Sequence, residues 1–147
     1  MNNITDVSIS EIEQEIISEF ELFEEWSEKY EYIIELGQKL PALDAIHKKE
    51  ENKIKGCQSS VWLHSSTQNG VIRFEADSDS TFVKGEIALL IRVLSGQKAE
   101  DILQAELGFI DVIGLRQHLA LTRANGLASM IKQMKLYALA HQSQHTS

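Results

Sequence analysis

The dipeptide Asn69-Gly70 separates two runs of residues that favour β-strands. Asn-Gly is preferred in two-residue hairpin turns, because both central positions of such a turn need a positive φ. The preceding run, 60–67, is rich in strand-forming residues, and the following run, 71–76, alternates polar and apolar side chains. The sequence therefore predicts one antiparallel β-hairpin near the middle of the chain.

The segments on both sides of this hairpin have the periodicity of helices. Two overlapping Ser-x-x-Glu capping boxes at residues 8–13 mark the first helix, and the second begins near Ser27 with stop signals at Gly37 and Pro41. Further helices are predicted over 81–94, 99–104, 109–113 and 123–140. The helix at 81–94 is apolar nearly all round, so we expect it to be buried against the sheet. The pattern predicts an α+β fold.

Length and composition indicate one ordinary globular domain. The chain has 147 residues, which suits a single domain over 1–147, with flexible ends at about 1–7 and 142–147. It contains no apolar run near the roughly 20 residues that a membrane span needs. The N-terminus resembles no signal peptide, and a lone cysteine agrees with a reducing compartment. We expect a cytoplasmic protein that does not act on membranes.

The net charge of −8 is concentrated in the first third of the chain. Residues 1–51 contain fourteen Asp and Glu against four Lys. Such an acidic segment argues against nucleic acid as a partner, because phosphates attract basic surfaces. A solvated helix face and a docking surface for a basic partner are both compatible with these acids.

Several kinds of site lack their motifs in this sequence. One cysteine and five histidines (47, 64, 118, 141 and 145) give no ligand pair at zinc spacing, so no metal is expected. Nucleotide-binding glycine motifs and the Gly-x-Ser-x-Gly elbow are missing, and the lysines lack a surrounding phosphate-binding motif. A Cys–His hydrolase is disfavoured, because Cys57 precedes a strand and not a helix.

Cys57 allows two readings. Free cysteine is among the most frequently buried residue types, so it can be a small core residue. Its neighbours argue otherwise: Gly56 permits an unusual turn, two lysines lie just before that glycine, and polar residues follow Cys57 in the stretch 53–60. Nearby cations favour the thiolate, which is the reactive form. We expect a reactive loop cysteine.

The stretch Thr122–Gly126 departs from helix rules. Thr122 is a good N-cap, but Arg123 then places a cation at the positive end of the helix dipole. Gly126 in the first turn costs about 1 kcal/mol relative to alanine. One reading is an anion receptor, in which the cation and the first backbone N–H groups act together. The other is a surface arginine beside a glycine needed for close packing.

Four stretches together make the chain similar to a known family. It resembles the SufE family of sulfur-acceptor (cysteine desulfuration) proteins, which includes the CsdE branch. The residues that carry the resemblance are 26–41, 54–63, 77–90 and 121–130. The Gly-Cys-Gln-Ser-x-Val-Trp and Arg-x-Asn-Gly-Leu blocks, about 65 residues apart, are specific in combination.

The resemblance implies a fold, a function and partners. The fold is a small antiparallel sheet of about three strands covered by helices, as in SufE and IscU-like scaffold proteins. The function is to receive sulfur from a PLP-dependent cysteine desulfurase as a persulfide, stimulating that enzyme, and to pass the sulfur to an iron–sulfur scaffold or another acceptor. PLP belongs to the desulfurase, so this chain needs no cofactor and is an accessory protein, not a stand-alone enzyme.

The resemblance also assigns residues. Cys57 is the acceptor, and Gly56, Gln58 and Ser59 shape its loop. Other matching positions lie near that loop or the partner surface: Asp79, Arg123, Asn125 and Gly126. We expect the free protein to hold the Cys57 side chain in an apolar pocket beneath the loop, and docking to turn it outward.

Some residues depart from the family pattern, and two other functions remain open. Ala76 stands where the family often has glycine, and Glu86 where it has an apolar residue. Residues 114–119 are similar to the CsdE branch, whereas 58–62 and the N-terminal block are similar to SufE itself. The alternatives are a docking adaptor whose cysteine is incidental, and an iron–sulfur scaffold, which one cysteine makes unfavourable.

Overall fold

The structure of the chain, a computed structural model, describes residues 7–145. This part of the chain forms one β-hairpin and six α-helices. Their bounds in chain order are α1 Ile9–Phe20, α2 Trp26–Gln38, β1 Val61–Gln68, β2 Val71–Ser78, α3 Thr81–Leu94, α4 Ala99–Gln104, α5 Phe109–Val112 and α6 Leu121–His145. Short 3₁₀ turns lie at Ala45–His47, Glu50–Asn52 and Arg116–His118. The predicted α+β fold is confirmed.

The hairpin forms where the sequence predicts it. Asn69 and Gly70 have φ values of 54° and 83°, the two positive angles that a tight hairpin turn requires. The sheet of the described residues has two strands, not about three. Single bridges take the place of a third strand at its edges, Lys53 to Trp62 and Ile72 to Gln97. The neighbouring segments turn away after one pairing, so they do not extend the ladder.

The core lies between the inner face of the hairpin and the helices. Alternate strand residues point inward and are buried, as the period of two predicts: Val61, Leu63, Ile72, Phe74 and Ala76. Helix α3 packs against β2, α2 and α1, and most of its residues are buried. Ser80 caps this helix, its Oγ accepting from the N–H of Val83 at 3.3 Å. The predicted burial of α3 against the sheet is confirmed, although its most extensive contact is with α2.

Gly37 does not end the second helix, contrary to the prediction. It lies inside α2, which continues to Gln38, and it faces Gly85 of α3. A Cβ atom added to Gly37 would lie 2.6 Å from the backbone nitrogen of Gly85, and one added to Gly85 would overlap the carbonyl oxygen of Ile33. The two glycines therefore let the backbones of α2 and α3 touch.

Helix α6 extends beyond its predicted bounds at both ends. It begins at Leu121, so Thr122 lies inside the helix and is not its N-cap. At the other end it continues to His145, beyond the expected end at residue 140. Tyr137 and His141 tie these turns to the edge of β1: the Tyr137 hydroxyl donates to the carbonyl oxygen of Leu63 at 3.4 Å, and a His141 ring nitrogen lies 2.9 Å from the hydroxyl of Ser65.

Two predictions concern the ends of the chain and the membrane. Residues 1–6, 146 and 147, part of the termini predicted to be flexible, lie outside the described residues. Among the helices that the structure describes, none combines the length and the apolar composition needed to cross a bilayer.

The contact between α2 and α3 leads to a stability prediction. Replacing Gly85 with alanine forces the two backbones apart, and overpacking of this kind costs about 1–3 kcal/mol. Gly108 is a matched control, since an added Cβ there meets nothing within 4 Å. We expect Gly85→Ala to lower the free energy of unfolding in urea by at least about 1 kcal/mol, and Gly108→Ala to change it by less. Equal stability of the two variants would contradict the proposed backbone contact.

Candidate functional site

Cys57 lies in a loop that is held at both ends. Before it, the N–H of Ile54 donates to the carbonyl oxygen of Val61 at 2.8 Å. After it, Ser60 and Asp79 exchange two hydrogen bonds: the Ser60 N–H donates to the Asp79 carboxylate at 3.1 Å, and the Asp79 N–H donates to the Ser60 carbonyl at 3.2 Å. These bonds close the loop over residues 55–59 and attach it to the segment before α3.

Gly56 sets the turn of this loop. Its φ of +90° lies in the region that favours glycine. A Cβ atom at this position would also lie 2.5 Å from the hydroxyl oxygen of Ser129 on α6. The conformation and the close approach to α6 together explain why glycine precedes the cysteine.

The Cys57 side chain is turned toward α6. The residue is half-buried, and its thiol donates a weak hydrogen bond to the carbonyl oxygen of Gly126, with 3.6 Å between Sγ and O. A Cβ added to Gly126 would lie 3.7 Å from Sγ. Gly126 thus brings the backbone of α6 alongside the thiol, so the close-packing reading of this glycine is the one that the structure supports.

A small cavity opens beside the thiol. Its volume is about 90 Å³, more than the about 10–15 Å³ that one water molecule needs. It is lined by Cys57, Gln58, Ser59, Ser80, Val83, Glu86, Arg123, Gly126 and Met130. The predicted pocket beneath the loop is therefore present, but it is not apolar as expected, because a carboxyl, a guanidinium and hydroxyl groups border it.

Glu86 is the unexpected member of this lining. It is 1% exposed, and its Oε2 has no hydrogen-bond partner among the described residues. Burial raises the pKa of this carboxyl to about 8, although the charge of Arg123 acts in the opposite direction. At neutral pH most Glu86 side chains are therefore protonated, and the cavity holds a neutral carboxylic acid able to donate a hydrogen bond.

The sequence contains a signal that points to Glu86. A glutamate on a helix that is apolar nearly all round is the kind of local inconsistency that often marks a functional site. The family pattern marks it only as a departure and does not place it among the site residues. Its relation to Cys57 depends on the packing of α3 beneath the loop, which no local pattern reveals.

Arg123 borders the cavity from the exposed side. Its guanidinium lies 5.2 Å from the centre of the Phe82 ring, and Nη1 donates to the Tyr30 hydroxyl at 3.3 Å. These contacts fix a cation at the cavity mouth in the first turn of α6. The arrangement is compatible with the anion-receptor reading of this stretch.

The predicted site residues fall into three groups. Cys57, Gln58, Ser59, Arg123 and Gly126 meet at the cavity. Gly56 and Asp79 act on the loop: the first through its turn, the second through the bonds to Ser60. Asn125 is exposed and does not line the cavity, so the structure does not bring its side chain to the thiol.

The resting thiol is not activated by cations, contrary to the prediction. Burial raises the pKa of the Cys57 thiol, and the negative charge that Glu86 acquires as it ionises, near pH 8 and above, raises it further. Lys53 is paired with Glu50, with 3.6 Å between Nζ and Oε1, and its ammonium lies 5.8 Å from the Trp62 ring centre. The loop therefore keeps Cys57 protonated.

Glu86 has a consequence for stability that depends on pH. Its pKa rises from an ordinary 4.5 to about 8 on folding, so the folded state holds more protons than the unfolded state between these values. Stability should therefore fall as pH increases from about 4.5 to about 8, by up to about 1.4 kcal/mol per pH unit. We expect Glu86→Leu to remove this decline in urea denaturation measured across the window. The control Glu100→Gln changes an exposed carboxyl and should keep it; parallel curves for Glu86→Leu and the parent would contradict the assignment.

Comparison with known proteins identifies the family. Residues 14–138 match the SufE family, described as an Fe-S metabolism associated domain. An uncharacterised SufE-like protein of Rhizobium meliloti (strain 1021) is 39% identical over 126 residues, covering 82% of this chain and 90% of that protein. The chloroplastic/mitochondrial SufE-like protein 1 of Arabidopsis thaliana is 41% identical over 128 residues, which is 86% of this chain but 34% of the plant protein.

A solved structure supports the same fold. The solution structure of a hypothetical protein from Thermus thermophilus superposes with a TM-score of 0.74, covering 90% of this chain and 96% of that chain. At 19% identity this likeness concerns the fold and not the function. On the sequence matches, the chain belongs to the SufE family, whose domain is associated with iron–sulfur metabolism.

Proposed function

We propose that this protein accepts sulfur from a PLP-dependent cysteine desulfurase as a persulfide on Cys57 and relays it to iron–sulfur cluster assembly in the cytoplasm. The observation that supports this most directly is the cavity of about 90 Å³ beside the thiol. A structural cysteine needs no space next to its sulfur, whereas a persulfide needs room for one more sulfur atom. The cavity also lies under an attached loop, where the added sulfur is shielded from solvent.

The transfer step is an exchange between sulfur atoms. Cys57 Sγ attacks the terminal sulfur of the donor persulfide, a new S–S bond forms, and the donor S–S bond breaks. The donor cysteine leaves as a thiolate and takes up the proton that Cys57 has lost. No net oxidation or reduction occurs, because the sulfane sulfur keeps its oxidation state. Delivery is a second exchange of the same kind, in which a thiolate of the acceptor attacks the outer sulfur of the Cys57 persulfide and Cys57 is the leaving thiolate.

The protonated state of the Cys57 thiol in the cavity suits a resting site more than nucleophilic attack. A thiol with a raised pKa is a poor nucleophile and is also a poor substrate for oxidation. Docking that turns Cys57 out of the cavity removes the burial and the influence of Glu86, which are the two causes of the raised pKa. The same movement would therefore expose and activate the nucleophile.

Glu86 and Arg123 suit a sulfur anion in the cavity. A protonated carboxyl can donate a hydrogen bond to such an anion, and the guanidinium at the mouth supplies a positive charge. Both interactions favour a persulfide anion over the neutral thiol that it replaces. The exposed residues near the mouth, Gln58 and Asn125, are available to a docked partner.

The function can be tested by intact mass. After incubation with a cysteine desulfurase and free cysteine, without reductant, we expect a gain of about 32 Da, one sulfur atom, that dithiothreitol removes. Cys57→Ser should show no gain. Binding and stimulation of the desulfurase that persist fully in Cys57→Ser, without any mass gain in the parent, would instead indicate a docking adaptor.

The influence of Glu86 on the thiol gives a separate prediction. Removing a nearby negative charge lowers the pKa of a thiol, so Glu86→Gln should shift the pH profile of Cys57 alkylation to lower pH. At pH 8 the variant should react faster than the parent with iodoacetamide. Glu100→Gln serves again as the control and should match the parent. A profile that stays in place in Glu86→Gln would show that the carboxyl does not act on the thiol.

A further inference from the structure

Three side chains of the types that ligate metal ions meet on the outer face of the hairpin. His64 of β1 and Glu75 of β2 are directly opposite each other in the strand register. The ring of His47, in the 3₁₀ turn Ala45–His47, stacks on the ring of His64 with 3.6 Å between centres. One ligand atom from each of the three residues lies within 4.8 Å of the others. None of the three lines the Cys57 cavity.

The backbone that carries these side chains is well held. The ladder of the hairpin fixes His64 against Glu75. The turn that carries His47 is capped by Asp44, whose Oδ1 accepts from the N–H of Ile46 at 3.2 Å. The Asn52 side chain donates to the carbonyl oxygen of His47 at 2.8 Å. The fold therefore places the backbones of these three residues next to one another.

The ligand atoms of His47, His64 and Glu75, the histidine cluster, have no other polar partner among the described residues. In the described part of the chain, the His47 and His64 rings and the Glu75 carboxylate make no hydrogen bond or ion pair. Their neighbours on the same face are engaged, since Asp77 pairs with Lys48 at 2.6 Å and with Lys84 at 3.3 Å. Three ligand groups from three different segments, none of them in a hydrogen bond or ion pair with the described residues, are available to coordinate a cation.

We propose that His47, His64 and Glu75 bind a divalent transition-metal ion of the Zn²⁺ class. Two imidazoles and one carboxylate are ligands that Zn²⁺ commonly binds, with metal–ligand distances of about 2.0–2.2 Å, whereas Ca²⁺ and Mg²⁺ prefer oxygen ligands. The two imidazoles must rotate from their stacked arrangement to reach a common ion, and the half-exposed histidines and the exposed Glu75 allow such movement. A fourth position stays open to water or to a small anion, since three protein ligands do not complete a tetrahedron.

A metal ion at this site would link the segments that precede and follow the Cys57 loop. His47 precedes Cys57 in sequence and His64 follows it. An ion held by both histidines cross-links the two segments from which the loop emerges. A bound ion should therefore stabilise the folded state and limit the movement of the base of the loop. This inference stands independently of the persulfide proposal, because it uses none of the same side chains.

The test is a calorimetric titration of the full chain with Zn²⁺ in a Cys57→Ser background, which keeps the thiol from competing for the ion. We expect saturable binding of one ion per chain. Replacing a ligand in His64→Gln should weaken the affinity at least about tenfold, equivalent to about 1.4 kcal/mol. The matched control is His118→Gln, a histidine that stacks on Trp26 away from the cluster, and it should bind as the parent does.

Thermal unfolding supplies a second readout. A ligand that binds only the folded state raises the melting temperature as its concentration increases. Zn²⁺ should raise it in the parent and in His118→Gln, but less in His64→Gln and Glu75→Gln, whose melting temperatures without metal verify that they fold. The absence of saturable binding, or equal affinities in His64→Gln and His118→Gln, would overturn the proposed site.

Discussion

The direct contact between α2 and α3 is the constraint on which the rest of the structure depends. Gly37 and Gly85 have no side chains at the point where the helices meet, so α3 lies deep between α2 and the hairpin. This depth carries Glu86, the residue after Gly85, into the space beneath the Cys57 loop. The same helix begins directly after Asp79, which holds that loop, and Ser80, which lines the cavity. Core packing and the candidate site therefore share one element.

The site accepts an energetic penalty that a purely structural region would avoid. A buried carboxyl oxygen without a partner and a glycine at a positive φ both reduce stability. Both lie within the cavity or the loop around one cysteine. Burial raises the pKa of the carboxyl and of the thiol alike, so the resting site is neutral apart from Arg123 at its mouth. A neutral thiol beside a small cavity is compatible with the sulfur-carrier role proposed for this protein.

Much of the fold could be predicted because its signals are local. The bounds of α3 and α4 follow from caps and from apolar periodicity, and the hairpin follows from the turn that Asn69-Gly70 imposes. Gly37 shows the limit of such reasoning. A glycine near the end of a helical pattern is a stop signal by local rules, but here it serves a contact with a helix nearly fifty residues away. The predicted end of α6 is wrong for a similar reason, because its last turns are held by contacts to β1.

By itself, the sequence determined the fold class, the hairpin and most helices, because turn geometry, capping and periodicity act over a few residues. It also predicted Cys57 as the candidate nucleophile, from the residues around it and from the family resemblance. Only the tertiary structure decided what surrounds Cys57: the cavity, the protonated Glu86 and the contact with Gly126. It also brought together His47, His64 and Glu75, whose spacing in sequence matches no metal motif. Burial and proximity are created by long-range packing, and they set protonation and ligand geometry, so no local pattern could specify them.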